Sequence, residues 1–327
     1  MTIQQTSKAT LAGLGRKIVL SLAFAALVYL GLTLYADAPK LAQALLGWDW
    51  HWLPIVLTAV LANYLLRFAR WHYYLYVIGI IGVPARASLL IFLSGFSLTM
   101  VPGKLGELVK SILLKSRYGI AISYSASIIA AERLTDTLGM VVLVAFGLVV
   151  YPIGIPALAA ILLAIIAVIL LMQSRRLAEY LLGLAERLPL IGKFAHLGRN
   201  LYESAYLLLR WKPILIALAL SAVAWFGECL AFFLVLLGFG LEPTRALLLQ
   251  ATLIYGGASL FGAITLLPGG VGATEGSMTS LVQVLVGLSS TMASAATLLV
   301  RVCTLWLAII IGGLALFIFG LPANATD

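Results

Sequence analysis

Charged residues are scarce in this chain of 327 residues, where Asp, Glu, Lys and Arg together make up 10% and hydrophobic residues 63%. Soluble globular proteins carry about 25% charged residues, which cover the surface that faces water. A chain this poor in charge has too few polar side chains for such a surface. The composition therefore excludes a soluble globular protein and predicts an integral membrane protein whose outer surface contacts lipid.

Cysteine and histidine are also rare, with two and three residues respectively. Cys229 and Cys303 each lie inside an apolar run, and neither has a cysteine or histidine at metal-ligand spacing. This pattern indicates neither a disulfide framework nor a zinc site. The sequence also contains no nucleophile–histidine–acid arrangement, no phosphate-binding glycine loop and no basic stretch interleaved with aromatic residues. We therefore expect no metal, no cofactor and no nucleic-acid partner.

Long apolar runs, by contrast, are abundant. A helix needs about 20 apolar residues to cross the hydrocarbon layer. Six segments meet this requirement: 18–36, 53–78, 124–150, 152–172, 213–238 and 290–319. The predicted fold class is an all-α polytopic membrane protein with about six full transmembrane helices, in a single membrane domain over 1–327.

Two further apolar stretches, 87–101 and 246–267, each run into a proline–glycine turn and then into a segment too polar or too short to cross. The turn residues are Pro102, Gly103 and Gly106 in the first and Pro268, Gly269 and Gly272 in the second. We predict re-entrant helical hairpins at 87–117 and 246–287. Irregular backbone is tolerated at membrane depth only where it is buried in protein or lines a watery cavity, so the turns also predict a cavity.

The two turns share the pattern P-G-x-x-G, a carboxylate that follows it, and an arginine inside a later apolar run. These residues are Gly106, Glu107 and Arg133 in the first copy and Gly272, Glu275 and Arg301 in the second. From the glycine to the arginine the chain runs 27 residues in the first copy and 29 in the second. The agreement of all three features indicates an internal repeat.

Basic residues are unevenly distributed along the chain. Four regions hold 17 of the 21 Lys and Arg residues: the N-terminus, the end of the second span, the first hairpin and the connection 173–212. The positive-inside rule places them, and hence the N-terminus, on the cytoplasmic side of the cytoplasmic membrane. The connection is predicted to lie on that interface as amphipathic helices. The halves 15–172 and 213–320 then form an inverted repeat, which is typical of alternating-access transporters.

Several ionisable residues fall within the predicted membrane depth, where a central Arg or Asp costs roughly 2.5–3.5 kcal/mol and is therefore expected to be paired or to line water. The planar guanidinium fork suits a phosphate. The predicted headgroup-binding residues are Arg133, Arg301, Lys104, Glu107, Lys110, Glu132, Asp136 and Glu275, and a cytoplasmic mouth is predicted at Asn63, Arg67 and Arg70. Two alternatives stay open: an ion-pair network that only fixes helix packing, and snorkelling of the mouth arginines to the interface.

Several motifs together resemble the flippase-like transmembrane family of the lysylphosphatidylglycerol synthases. They are P-G-K-L-G-E at 102–107, E-R-L-T-D at 132–136, L-P-G-G-V-G-A-T-E at 267–275, and N-Y-L-L-R at 63–67 ahead of Arg70. The resemblance covers roughly 15–320 and implies lipid translocation. Bifunctional members add a soluble domain that transfers an aminoacyl group. Because this chain stops at Asp327, just after the last helix, that synthase activity is not expected here.

The resulting hypothesis is a transporter rather than an enzyme. It would move an anionic lipid, either a phospholipid or a polyprenyl-phosphate-linked sugar, between leaflets, with a separate lipid-modifying enzyme as a candidate partner. Two other classes remain open. One is a membrane glycosyl- or aminoacyl-transferase with Glu107 or Asp136 as base, and the other is a non-transporting protein that anchors an enzyme through 173–212. The lipid, the direction, the energy source and the oligomeric state are left open.

Overall fold

The computed structural model describes residues 20–101, 106–148, 155–173 and 195–320, and within these ranges the regular secondary structure is helical. The helices are α1 (Leu20–Tyr35), α2 (Ala38–Leu46), α3 (Leu53–Val77), α4 (Ala85–Ser94), α5 (Leu108–Tyr118), α6 (Ile122–Leu148), α7 (Ile155–Gln173), α8 (Ala195–Leu208), α9 (Trp211–Gly238), α10 (Arg245–Ile264), α11 (Ala273–Leu281), α12 (Ser290–Arg301) and α13 (Leu307–Phe319). Short 3₁₀ helices occupy Trp50–Trp52 and Pro268–Gly270, and π-helical turns occupy Val282–Val286 and Val302–Trp306.

Four helical segments of the described chain are long and apolar enough to cross a membrane: Trp50–Val77, Trp211–Gly238, Arg245–Ile264 and Ser290–Phe319. Helices α1 and α2 meet at 92° and form a fifth candidate if the bent pair is one span. Helix α6 has 27 residues but carries a cluster of charges in its middle. The all-α polytopic membrane fold is confirmed, while the six-span count and the two re-entrant hairpins stay predictions.

The central part of the bundle is formed by α3, α6, α9 and α10, which pack against one another around α9. Trp48, just before α3, donates from Nε1 to the Val235 carbonyl oxygen at 2.9 Å. Helix α8, in the C-terminal part of the predicted interfacial connection, packs against α6 and buries Tyr202 and Leu208. The preceding stretch, 174–194, lies outside the described residues. The bundle thus holds three charge-bearing helices, α3, α6 and α9, side by side.

Helix α13 packs against α4 and the residues that follow it, and a Cβ atom at Gly312 would lie 2.7 Å from the Phe96 carbonyl carbon and 2.9 Å from the Leu93 carbonyl oxygen. Small residues permit such backbone approach in membrane proteins. Gly312→Ala is therefore expected to destabilise the protein by about 1–3 kcal/mol through overpacking, measured as a lower melting temperature in detergent. The matched control is Gly313→Ala, whose Cβ would meet no atom within 4 Å. Equal melting temperatures of the two variants would contradict this packing.

Candidate functional site

A cavity of about 160 Å³ lies at the centre of the bundle and is lined by residues from both predicted halves. Liquid water occupies roughly 30 Å³ per molecule, so the space admits several waters or one small polar group. Its ionisable side chains are Arg67, Glu107, Arg133, Glu228 and Arg301. The remaining wall is largely aromatic and aliphatic, with glycines from the 268–270 turn. Three guanidinium groups therefore face one small space between apolar helices.

Arg301 is held in place by the second proline–glycine turn. Its Nε donates to Oε1 of Glu275 at 2.6 Å, and its Nη2 donates to the Gly269 carbonyl oxygen at 3.0 Å. Oε2 of Glu275 in turn accepts from the Gly272 backbone N–H at 2.7 Å. Gly269 and Gly272 have φ angles of 61° and 88°, a region that favours glycine because it has no Cβ. The glycines of the motif thus let the backbone fold around one carboxylate–arginine pair.

Helix α1 covers the outer side of this pair. Tyr29 donates from Oη to Oε1 of Glu275 at 3.2 Å, and Trp306 donates from Nε1 to the Tyr29 hydroxyl at 3.1 Å. A groove lined by Val28 and Gly31 of α1 and by Glu275 and neighbouring residues of α11 runs beside these contacts. Because Arg301 lines the cavity and Glu275 lines the groove, the ion pair separates the two spaces.

The first half contains a larger ion-pair network centred on Asp136. Oδ1 of Asp136 accepts from Nη1 of Arg70 at 2.6 Å and from Ser221 and Trp225 at 3.0 Å each. Its Oδ2 lies 2.8 Å from Nη2 of Arg133. Asp136 is 2% exposed and Arg70 is 0% exposed. These neighbours occupy both oxygens of a buried carboxylate and leave no open side for a substrate, which argues against Asp136 as the base of a transferase.

Lys110 and Glu132 form a second pair in this network, with Nζ donating to Oε2 at 2.6 Å. Lys110 also lies 4.6 Å from the centre of the Trp71 ring. Both side chains are buried, and neither lines the cavity. They stand behind Arg133 rather than beside the cavity, so their position favours a packing role.

Each half pairs the carboxylate that follows its turn with the arginine of its later apolar helix. Arg133 lies 3.4 Å from Glu107, and Arg301 lies 2.6 Å from Glu275. The Arg133 side chain is 25% exposed and that of Arg301 is 9% exposed. The two copies of the sequence pattern thus make the same type of contact, and the contact is longer in the first copy.

The predicted headgroup-binding residues divide into two groups in the structure. Glu107, Arg133 and Arg301 line the cavity. Lys110, Glu132, Asp136 and Glu275 lie behind them as buried ion-pair partners. Lys104 and the turn residues Pro102 and Gly103 lie outside the described residues, whereas Gly106 packs against the Leu98 backbone.

The structure corrects the predicted cytoplasmic mouth at two of its three positions. Asn63 and Arg70 are fully buried, with Asn63 donating from Nδ2 to the Ala224 carbonyl oxygen at 2.7 Å and Arg70 bound to Asp136. Arg67 lines the central cavity instead. The spacing of these residues does place them on one side of α3, but that side faces α6 and α9.

Sequence reasoning left several lining residues out of the site. Glu228 is absent from the predicted site residues, yet it lines the cavity and accepts a hydrogen bond from Tyr255 Oη at 2.6 Å. Trp225 lies between Asp136 and the cavity. Glu228 was detectable as a charge inside an apolar run. Tyr and Trp carry no such signal, because aromatic residues are common throughout the apolar segments.

Comparison with known proteins gives a consistent family. The family model described as the lysylphosphatidylglycerol synthase TM region matches residues 18–312. A UPF0104 membrane protein of Methanothermobacter thermautotrophicus is 25% identical over 315 residues, which cover 89% of this chain and 90% of that protein. A further match to a UPF0104 membrane protein of the same organism is 23% identical over 237 residues, covering 66% and 69%. No solved structure matches the chain.

The resemblance seen in the motifs at 102–107, 132–136 and 267–275 is therefore confirmed, because the matched range contains all three. The match extends over nearly all of the described helices. This protein belongs to the family of the lysylphosphatidylglycerol synthase transmembrane region.

Proposed function

We propose that this protein is a lipid translocator that moves a phosphate-bearing lipid between the leaflets of the cytoplasmic membrane, with its N-terminus in the cytoplasm. The observation that carries the proposal is the central cavity, into which Arg67, Arg133 and Arg301 all project. Guanidinium groups bind phosphate through paired N–H donors. They do so more strongly in a low-dielectric interior than in water. The site therefore suits an anionic headgroup crossing an apolar bundle.

The groove between α1 and α11 supplies a place for the lipid tails. Leu27 and Leu34 on the outer side of α1 are 67% and 70% exposed, as expected for side chains that contact lipid. A headgroup in the cavity would leave its hydrocarbon chains in this groove and in the surrounding bilayer. Movement of the headgroup past Arg301 would then require the pair with Glu275 to open.

The looser pair in the first half favours exchange of partners. Arg133 contacts Glu107 at 3.4 Å and is partly exposed to the cavity. A phosphate oxygen could therefore replace the Glu107 carboxylate on Arg133, and Glu107 would still line the cavity. Asp136 keeps its contacts with Arg70, Ser221 and Trp225 meanwhile. The family description, with its lysylphosphatidylglycerol synthase TM region, is consistent with lipid handling. It also makes a separate lipid-modifying enzyme a reasonable partner.

The direct test is reconstitution of the purified protein into liposomes that carry a headgroup-labelled anionic phospholipid in both leaflets. A membrane-impermeant quencher reports how quickly label from the inner leaflet reaches the outer one. Protein-containing vesicles should expose nearly all of the label, whereas empty vesicles should expose only the outer half. A label distribution identical to that of empty vesicles, in a membrane whose composition supports the folded protein, would contradict the proposal.

Arg133→Gln is expected to slow this exchange roughly tenfold to hundredfold, because a hydrogen bond to a charged group contributes about 1.5–3 kcal/mol. The variant should fold, since Asp136 retains its other donors. The matched control is Arg117→Gln, which removes an exposed cation that donates to the Phe319 carbonyl oxygen and lies outside the cavity. Equal exchange rates for the two variants would remove Arg133 from the transport path.

A further inference from the structure

We infer that Arg67 is the residue that binds the phosphate of the lipid, whereas Arg133 and Arg301 act mainly by exchanging partners during transport. The inference rests on the proposed function, because it takes the ligand to be the transported lipid. Phosphate binding is thereby assigned to Arg67, which the sequence pattern places at the cytoplasmic mouth. Movement of the headgroup is assigned to the other two arginines.

Arg67 differs from the other two cavity arginines because it forms no close ion pair within the described residues, although the Glu228 carboxylate lines the same cavity and interacts with it electrostatically. Among the residues that the structure describes, no carboxylate lies within 4.0 Å of its guanidinium. Its Nε is buried without a hydrogen-bond partner in the described part of the chain, as is that of Arg133, so the two arginines differ in their carboxylate contacts. Arg133 and Arg301, by contrast, are each bound to the carboxylate of their own half. Arg67 is thus the cavity cation whose charge is still available to a ligand.

The aromatic neighbours of Arg67 hold it in a defined position. Its guanidinium carbon lies 5.2 Å from the centre of the Phe96 ring and 5.7 Å from that of Trp225. Trp225 is itself fixed, because its Nε1 donates to Asp136 at 3.0 Å. Cation–π contacts stabilise a guanidinium without using its N–H donors. The terminal N–H groups of Arg67 make no hydrogen bond within the described residues, so they can meet an anion in the cavity.

The two carboxylates of the cavity wall have other partners, so they leave Arg67 able to bind a phosphate. Glu107 is paired with Arg133, and Glu228 accepts from Tyr255 Oη. The cavity wall nevertheless carries three guanidinium groups and only two carboxylates, and positive charge in an apolar bundle is unfavourable unless it is compensated. A phosphodiester monoanion supplies the missing charge and can accept two parallel N–H bonds from the planar fork. This geometry fits a phosphate better than it fits a neutral headgroup.

The test compares binding of dioleoyl phosphatidylglycerol with binding of dioleoylglycerol, which lacks the phosphate, by native mass spectrometry of the purified full chain. Arg67→Gln should weaken phosphatidylglycerol binding roughly tenfold to hundredfold, because it removes hydrogen bonds from a charged donor. Binding of dioleoylglycerol should not change. Arg67→Lys should bind phosphatidylglycerol with an affinity between those of the wild type and Arg67→Gln, because lysine keeps the charge but lacks the planar guanidinium group. The melting temperature of each variant reports whether it has folded.

The companion variants are Arg133→Gln and Arg301→Gln. Both should slow transport, and both should weaken phosphatidylglycerol binding less than Arg67→Gln does, because each of these arginines is already paired with a carboxylate of its own half. Folded Arg67→Gln protein that binds phosphatidylglycerol as tightly as the wild type overturns the inference while leaving translocation intact. Wild-type protein that binds through Arg67 but never exchanges lipid overturns the proposed function and the transport role of Arg133 and Arg301, and it leaves only the binding role of Arg67.

Discussion

Asp136→Ala should lower the stability of the protein by about 3–5 kcal/mol, since removing one partner of a buried ion pair leaves the other charge uncompensated. The charge that loses its close partner is that of Arg70, which is 0% exposed and whose Nη1 lies 2.6 Å from Asp136. Its other carboxylate neighbour, Glu132, is 3.9 Å away and is also bound to Lys110. Ser221 and Trp225 lose their acceptor at the same time. Thermal unfolding in detergent, followed by the fraction of monodisperse protein left after heating, measures the loss.

Two further variants make this result specific. Lys40→Ala removes an ion pair with Asp37 whose side chains are 70% and 45% exposed, and it should change stability by less than about 1 kcal/mol. The double variant Arg70→Met with Asp136→Leu should recover part of the loss, because an apolar pair of similar size removes the unpaired charge. If Asp136→Ala melted at the same temperature as Lys40→Ala, the network would have no part in holding the helices together.

Ser259→Phe should stop lipid exchange almost completely. Ser259 lies on α10 and lines the cavity of about 160 Å³, so a phenyl ring placed there occupies the space that the headgroup needs. Overpacking of this kind opposes occupancy by about 1–3 kcal/mol, which corresponds to a roughly tenfold to hundredfold lower rate. The vesicle assay with labelled phospholipid measures it.

The controls for the blocked cavity come from the same helix. Ser259→Ala keeps the cavity open and should exchange lipid at close to the wild-type rate. Ile264→Phe adds bulk at a side chain that is 64% exposed and contacts lipid, so it should also be nearly neutral. Wild-type exchange by a folded Ser259→Phe variant would show that lipid passes by a route outside this cavity.

The candidate site could be recognised in outline because charges are rare inside apolar segments. Glu107, Arg133, Glu275 and Arg301 stand out for that reason, and the repeated P-G-x-x-G pattern links them in pairs. The pairing itself was not predictable, because helical spacing does not show which neighbouring helix a side chain meets. Three residues on one side of α3 illustrate this. Asn63 forms a hydrogen bond to α9, Arg67 lines the cavity, and Arg70 forms a buried ion pair with Asp136.

An ion-pair network that only fixes helix packing explains the charged residues behind the cavity wall. It does not explain the charged residues that line the cavity. Lys110, Glu132 and Asp136 are sealed behind the cavity wall, where charges fix the relative position of α3, α5 and α6. Arg133 belongs to both groups, because it bonds Asp136 and also lines the cavity. Sequence proximity grouped these residues as one site, and the packing of the helices divides them.

Composition and apolar run length alone determined that this chain is an all-α membrane protein, because lipid contact and internal backbone hydrogen bonding leave helices as the solution for long apolar runs. The motifs determined its family. Only the tertiary structure decided which charges form close ion pairs and that Arg67, Arg133 and Arg301 line one cavity. The physical reason is that a charge in a low-dielectric interior depends on partners a few ångströms away, and these partners come from helices far apart in the sequence.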